Sequence, residues 1–486
     1  MYDFDLVCVG SGPAGQRAAT QAAKLGKKVA VIERRQCIGG VCLETGTIPS
    51  KTLREAVRSF ASIPQDATLG LGRRPRPTIE QLLDRVTSVI SRETEIQADQ
   101  LQRNDITVIG GTASFANPHK LLVHTGDVTR TITAEHILLA VGTRPANPPG
   151  VEPDGRSVIT SDGIMTLQLL PRSIAVVGAG IIGIEYASMF AWLGLEVTVI
   201  DKRTRPLEFL DGEVADELMY QMRQRRVVFR LGEAVSSIAV MDSGGAHPQG
   251  VLELESGKRI VADMILFSAG RVGATDALDL AAAGLSADER GRLPVDDHFR
   301  TSVPHIFAAG DVIGFPALAA TSAEQGRLAA CHMFGVQAGT MASHFPIGIY
   351  SIPEISVVGE SEEQLTAKRV PYEIGIARYR EIARGQIVGD DTGMIKMIVH
   401  REHRGILGVH AIGTGATELI HVGQAVLALG GGLDYFLDTV FNYPTFAECY
   451  KVAALNAANK LRKMGSVGEG ALSTPAKGLA TSSAHR

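Results

Sequence analysis

The chain lacks any apolar run of the roughly 18 residues needed to cross a bilayer, so no membrane span is expected. Cysteine is scarce. There are five in 486 residues (Cys8, Cys37, Cys42, Cys331, Cys449), at no scaffold spacing. That argues against a disulfide-stapled domain and favours a reducing, cytoplasmic compartment. No charge of one sign dominates. The formal net charge is −4, so nothing points to nucleic acid or to an anionic membrane surface. Nor is there room ahead of the first strand, which begins by Phe4, for a signal peptide. No metal site is expected.

What is present is glycine, 53 residues of it, in a chain of otherwise ordinary globular composition. The length suits about three domains. Residues 4–10 read as a buried parallel strand. A Gly-rich turn, a helix to about Leu25 and a strand at Lys28–Glu33 complete a βαβ start. Pro64–Pro77 reads as a surface loop. Residues 78–104 carry apolar positions at helical spacing, with Thr78 as N-cap. Ile137–Gly142 reads as a further strand, and Pro145–Pro153 as a linker. The pattern then restarts with a strand at Ile174–Val177, a Gly-rich turn, a helix to about Leu193 and a strand at Glu196–Ile200. One nucleotide-binding unit is thus written twice. From about residue 346 alternating segments, Lys396–His400 and Leu407–Ile412, predict an antiparallel sheet with helices. The Gly-, Ser- and Ala-rich tail from Gly465 is expected to lack structure.

The first turn is Gly10-Ser-Gly12-Pro13-Ala-Gly15. Gly10 permits the tight turn, Gly12 lets the backbone approach a pyrophosphate, and Gly15 allows close helix–strand packing. The phosphate then lies at a helix N-terminus, where free N–H groups favour anions. Glu33, about 20 residues on, is placed to accept hydrogen bonds from a ribose. The second turn is Gly178-Ala-Gly180-Ile-Ile-Gly183, and its acid is Asp201. Two such sites suggest a flavin dinucleotide and a nicotinamide dinucleotide, a pair that exchanges hydride. Lys202, Arg203 and Arg205 follow Asp201. A carboxylate there favours a free ribose 2′-hydroxyl, whereas an Arg can grip a 2′-phosphate. The segment reads either as a solvated mixed-charge loop or as a site that tolerates both NAD and NADP. His305–Asp311 reads as a short strand ending in Gly310-Asp311, where a carboxylate can hold a sugar-like hydroxyl or simply make a turn.

Gly10–Gly15, Gly40–Lys51, Ala140–Pro145, Gly178–Glu185 and Phe307–Asp311 stand in the order seen in the flavoprotein disulfide reductases, which include dihydrolipoamide dehydrogenase and glutathione reductase. The resemblance covers roughly residues 3–462. It implies two Rossmann-like domains: FAD-binding at 1–145 with 272–345, and NAD(P)-binding at 146–271. A C-terminal α+β dimerisation domain follows at 346–464, and a tail without structure at 465–486. The motifs and the resemblance together set the candidate cofactor-binding residues as Gly10, Gly12, Pro13, Gly15, Glu33, Arg34, Gly40, Val41, Cys42, Thr47, Lys51, Ala113, Gly142, Gly178, Gly180, Gly183, Glu185, Asp201, Lys202, Arg203, Gly270, Gly310 and Asp311. Lys51 and Glu185 are the candidate catalytic pair: the family's Lys lies near the reactive flavin nitrogen, and its Glu pairs with the Lys.

Two departures from the family are linked. Dithiol members carry a second cysteine five residues after the first, and position 47 is Thr. Near the C-terminus they carry a His as acid/base for the substrate thiol. Here the segment is Tyr443-Pro-Thr-Phe-Ala-Glu448, and a phenol with a reference pKa of about 10 suits that role poorly. Cys37 also stands five residues before Cys42, but on the nucleotide side of the Gly39-Gly40 turn. A branch of the family shares both the Thr-Ile-Pro-Ser-Lys signature and the segments at Gly348–Glu354 and Phe441–Thr445. It implies hydride transfer between NADPH and NAD+ through FAD, by a ping-pong route without a disulfide, in a homodimer or higher homo-oligomer. A flavin-dependent NAD(P)H oxidase or quinone reductase, a degenerate dihydrolipoamide dehydrogenase and a flavin-stabilised scaffold stay open alongside it.

Overall fold

The computed structural model describes residues 1–61, 77–148, 150–241 and 248–471. The expected loop at Pro64–Pro77 lies outside these apart from Pro77. The chain divides into two compact units. The first is Met1–Leu207 with Tyr220–Ser343 and Tyr350–Ile352, and the second is Glu208–Met219 with His344–Ile349 and the chain from Pro353 onward.

The first unit holds two sheets of nucleotide-binding type. In one, the strand Phe4–Val9 lies at the centre, parallel to Val29–Glu33 on one side and to Val128–Leu139 on the other. Thr107–Gly110 extends it beyond Val29–Glu33, and Ile306–Ala308 pairs in parallel with Val128–Leu139. Phe4–Val9 is almost continuously apolar because both faces are covered. Leu6 and Cys8 face a core with Ala18, Ala22 and Leu328, while Val7 and Val9 face one with Phe115 and Leu121. The helix Pro13–Lys24 buries Ala14, Gly15, Ala18, Ala19 and Ala22, a stripe of small side chains. That stripe lets the helix Ala319–Met333 approach so closely that a Cβ on Gly326 would stand 2.0 Å from the Ala14 carbonyl oxygen. The helix Ile79–Arg103 is capped at Thr78, whose hydroxyl accepts from Gln81 N while the Gln81 side chain reaches back.

The expected strand at Ile137–Gly142 is corrected. It begins at Val128 and ends at Leu139, and Ala140–Gly142 leave the sheet. Its first four residues, Val128 to Thr131, are exposed and pair antiparallel with Lys120–Thr125, so this mostly polar stretch gives no buried-strand signal. The second sheet is parallel throughout, in the order Val228–Leu231, Glu196–Asp201, Ser173–Val177, Met264–Phe267, Val158–Thr160. Its helix Ile181–Trp192 is buried continuously from Gly183 to Ala191, as befits a helix apolar all round.

The second unit is an antiparallel sheet in the order Ile347–Ile349, Ile355–Gly359, Ile406–Ile412, Met394–His400, Tyr372–Arg378. The expected antiparallel sheet is present, but its central strands do not alternate in burial. Met394 to Val399 are all buried. Ile395, Met397 and Val399 join the core formed with the helices Ala416–Ala428 and Glu448–Ala471. Between them in sequence, Lys396 is fully buried and salt-bridged to Asp211, Glu213 and Glu362. The helix Glu448–Ala471 runs past Gly465, where the expected unstructured tail begins, and 472–486 lie outside the described residues. No helix among the described residues is long and apolar enough to cross a membrane.

Candidate active site

The first turn is built on two close approaches. Gly10 has φ +104°, and a Cβ there would stand 2.4 Å from the Ala140 carbonyl oxygen. A Cβ on Gly15 would stand 1.9 Å from the carbonyl oxygen of Gly10 itself, so the turn closes only on glycine. Gly12 is different: nothing lies within 4 Å of its Cβ position, which leaves that face of the turn open. Pro13 opens the following helix at a position where its missing N–H is no loss. A Cβ on Gly40 would stand 3.2 Å from Gly12 Cα, so the start of the short helix Gly40–Glu44 closes on the same turn. Gly310 arrives from the far end of the unit. Its Cβ would stand 3.2 Å from Ala14 Cβ, and its N–H donates to Gln325 Oε1 at 2.8 Å. Asp311 accepts from Ser322 Oγ at 3.3 Å.

Glu33 is held under this turn. Ser11 N and Ser11 Oγ donate to its Oε2 at 3.0 and 2.6 Å, and Arg35 N donates to its Oε1 at 2.9 Å. Ser11 is fully buried and its Oγ also accepts from Gly39 N. Sequence reasoning missed Ser11, because the middle position of a Gly-x-Gly turn has no required side chain. Arg34 is exposed, and the Ala113 methyl is buried in the sheet core with Phe115 and Leu121. Gly142 and Gly270 both have positive φ, and the Gly270 carbonyl accepts from Ala146 N.

Val41 and Cys42 lie on the helix Gly40–Glu44, and Thr47 opens the helix Thr47–Ala61. The Cys42 thiol is pushed up from its ordinary pKa by burial, against an opposing hydrogen bond with the Thr47 side chain. Thr45 Oγ1, between the two helices, is a buried oxygen with no hydrogen-bond partner among the described residues. All five cysteines are free, and Cys37 Sγ contacts Thr94 Oγ1 at 3.1 Å.

One turn into the same helix, Lys51 points its ammonium at Glu185. Nζ donates to Oε1 at 3.0 Å and to Oε2 at 2.8 Å, and the Tyr350 N–H donates to Oε1 at 2.8 Å. The Glu185 side chain is 4% exposed and that of Lys51 26%. Lys51 Nζ also lies 4.9 Å from the centroid of the Tyr350 ring, a cation–π contact. The predicted pair is thus brought together across 134 residues. Tyr350, which touches both members, was legible only as part of a shared segment.

The second turn repeats the first. Gly178 has φ +106° and a Cβ there would stand 2.8 Å from the Ser268 carbonyl oxygen, while one on Gly183 would stand 1.9 Å from that of Gly178. Asp201 Oδ2 accepts from Ala179 N at 2.6 Å. Burial alone would raise the Asp201 pKa, but hydrogen bonds from Arg203 and Ala179 hold it below the usual carboxylate value. Lys202 is exposed. In the second unit, Tyr443 is 73% exposed, and Glu448 Oε2 is buried with no hydrogen-bond partner among the described residues.

Comparison with known proteins agrees with this geometry. Residues 4–326 match the pyridine nucleotide-disulphide oxidoreductase family, and residues 345–454 match the dimerisation domain of that family. The chain is 52% identical over 470 residues to a soluble pyridine nucleotide transhydrogenase of Mycobacterium bovis, covering 96% of this chain and 99% of the relative. It is 42% identical over 465 residues to one from Sodalis glossinidius, covering 95% and 99%. Among solved structures it is similar to the HOCl-induced flavoprotein disulfide reductase RclA of Escherichia coli in its Cu(II) complex, with TM-score 0.85, 26% identity, and 94% and 99% of the chains covered. It is also similar to LpdA of Mycobacterium tuberculosis, with TM-score 0.84, 26% identity, and 93% and 98% covered. With its paired glycine turns and near-complete coverage, this chain belongs to the pyridine nucleotide-disulphide oxidoreductase family.

Proposed function

We propose that this protein moves hydride from NADPH to NAD+ by way of bound FAD and without a redox disulfide. The observation that carries this reading is that position 47, five residues after Cys42, is a threonine, and that Cys42 is a free thiol. A dithiol relay needs a second sulfur in that place. The names of the relatives at 42–52% identity support the same activity.

The residues present fit the cofactor. The open face of Gly12, flanked by Gly40, leaves room for a pyrophosphate at the start of the helix Pro13–Lys24. Glu33 would take the ribose hydroxyls, with Gly310 and Asp311 closing the other side. FAD, when bound, supplies the group that accepts and returns hydride. Lys51, fixed by Glu185 and Tyr350, holds a positive charge where negative charge develops, and because it is already in place it needs no reorganisation. The Gly178–Gly183 turn binds each nicotinamide nucleotide in succession, so the kinetics are ping-pong. Residues 1–145 with 272–345 form the FAD domain in this reading and 146–271 the nicotinamide domain. Residues 346–464 join two copies as a homodimer in the cytoplasm.

The test is anaerobic. The holoenzyme is reduced with one equivalent of NADPH, and an NAD+ analogue whose reduced form absorbs at a separate wavelength is added. Bleaching of the flavin followed by its reoxidation as the analogue is reduced is the expected result. Reoxidation by quinone or oxygen alone would replace this reading with that of a reductase or oxidase.

A further inference from the structure

Away from the glycine turns, the first unit brings two imidazoles together. His298 Nδ1 and His332 Nε2 lie 3.5 Å apart, with ring centroids at 4.4 Å and planes tilted by 59°. A hydrogen bond from a ring N–H is normally about 2.9–3.0 Å long, so this contact is stretched. Two nitrogens held by one tetrahedral ion at about 2.0–2.1 Å stand about 3.3–3.4 Å apart, close to the spacing seen. Neither ring has another hydrogen-bond partner among the described residues. Spacing alone gives no sign of the pair, since 34 residues separate its members. Both backbones are fixed. Asp296 Oδ1 accepts from His298 N at 2.9 Å and from Arg300 N at 2.8 Å, and Phe299 N donates to the Asp296 carbonyl at 2.9 Å, which closes 296–300 into a tight turn. Phe299, at φ +66°, is buried in the core that also holds Leu328 and Met333 of the helix Ala319–Met333. His332 is half-buried near the end of that helix, and His298 is exposed, so its ring is free to turn.

We propose that His298 and His332 form a two-imidazole site for a divalent transition-metal ion such as Zn2+, with water completing the shell. Neutral imidazole suits Zn2+, Ni2+ and Cu2+, whereas Mg2+ and Ca2+ take oxygen ligands. Once one ring has bound, the second is already at hand, so the pair holds an ion more tightly than either ring alone. The position favours a cation. It lies at the C-terminal, negative end of the helix Ala319–Met333, and Asp296 and Asp297 flank His298. No third protein ligand joins the two. Among the described residues the one group of three candidate ligands is Asp211, Glu213 and Glu362, and Lys396 already pairs with all of them. A structural zinc takes four protein ligands, so a site with two is a reversible brace. It ties the turn 296–300 to the end of the helix. The turn leads through Ile306–Ala308 to Gly310 and Asp311, and the helix bonds those same two residues through Gln325 and Ser322. The site does not depend on the transhydrogenation reading.

The test is calorimetric titration of the holoenzyme with Zn2+ at neutral pH, beside His298→Ala and His332→Ala. Ions taken up elsewhere, by other imidazoles or thiols, are common to all three proteins and cancel. The unaltered protein is expected to bind one equivalent that each variant binds about 100-fold more weakly, because either substitution removes the chelation. Zn2+ should also raise the Tm of the unaltered protein further than that of the variants, by an amount that grows with ion concentration, and Mg2+ should not. Both side chains reach water, so the variants are expected to fold. His298→Gln and His332→Gln, which keep a polar side chain, serve if an alanine variant does not. Neither residue belongs to the turns assigned to nucleotides, so flavin reduction by NADPH without Zn2+ should be unchanged in the variants. Equal Zn2+ binding by all three proteins, or an equivalent lost in one variant and kept in the other, overturns the site.

Discussion

Replacing Lys51 by Ala tests the centre of the proposed site. Glu185 accepts three hydrogen bonds, two from Lys51 and one from Tyr350 N. The substitution leaves a carboxylate that is 4% exposed with a single donor. Breaking a fully buried ion pair costs about 3–5 kcal/mol. Lys51 keeps a quarter of its side chain in water, which moves the value toward the ~1 kcal/mol of surface pairs and gives about 2 kcal/mol here. Glu185→Gln keeps the shape and leaves a cation that water can solvate, so about 1 kcal/mol is expected. The double variant should lose less than the sum, because neither partner is left alone. The functional effect is larger and ordered differently. Removing one preorganised charge at a reacting centre slows such steps about 100-fold. In anaerobic stopped flow, Lys51→Ala should therefore reduce its flavin by NADPH about 100-fold more slowly at full FAD occupancy. Glu185→Gln keeps the charge and loses only its aim, so about 10-fold is expected. Wild-type flavin reduction in Lys51→Ala, with FAD fully bound, would refute the electrostatic role.

Other sites give independent tests. Gly15→Ala puts a Cβ at 1.9 Å from a backbone oxygen in the first turn, and Gly183→Ala does the same in the second. The first variant should lose FAD on gel filtration, whereas the second should keep FAD and lose its reduction by NADPH. Lys396→Met leaves Asp211, whose side chain is 1% exposed, without its cation. A loss of about 3–5 kcal/mol in urea unfolding is expected, and Lys396→Met with Asp211→Asn should recover most of it. His410 is 2% exposed, and burial lowers its pKa below the ordinary 6.5 against the opposing pull of Asp211. The unfolded chain takes up this proton first. The stability tied to neutral His410 is therefore full above about pH 6.5 and falls as pH drops below it, by up to ~1.4 kcal/mol per unit. His410→Gln should flatten that slope by one proton's worth in unfolding measured from pH 7 to 5.

Much of the scaffold was legible because its signals are local. Gly15 and Gly183 are required by the carbonyl oxygens of Gly10 and Gly178, five residues before each, and the apolar runs at 4–9 and 174–177 follow from strands covered on both faces. Thr78 announced a helix start, and the structure adds Gln81 as its partner in the cap. The strand from Val128 was not legible, since its exposed first four residues look like a loop until Lys120–Thr125 pairs with them. Ser11 was missed for a related reason: its value lies in reaching Glu33, which no local rule requires.

The sequence by itself determined the two glycine turns, the acids that end the following strands, and the threonine at position 47 where dithiol members carry a second cysteine. Each of these rests on residue identity and short-range sterics. Only the tertiary structure decided which charges meet. It placed Lys51 and Tyr350 on Glu185, the Arg203 guanidinium on Asp201, the Arg35 guanidinium on Glu44, and Lys396 among Asp211, Glu213 and Glu362. Ion pairs of this kind depend on where distant segments are packed and on how much water is excluded there, and neither is written in the spacing of a single stretch of chain.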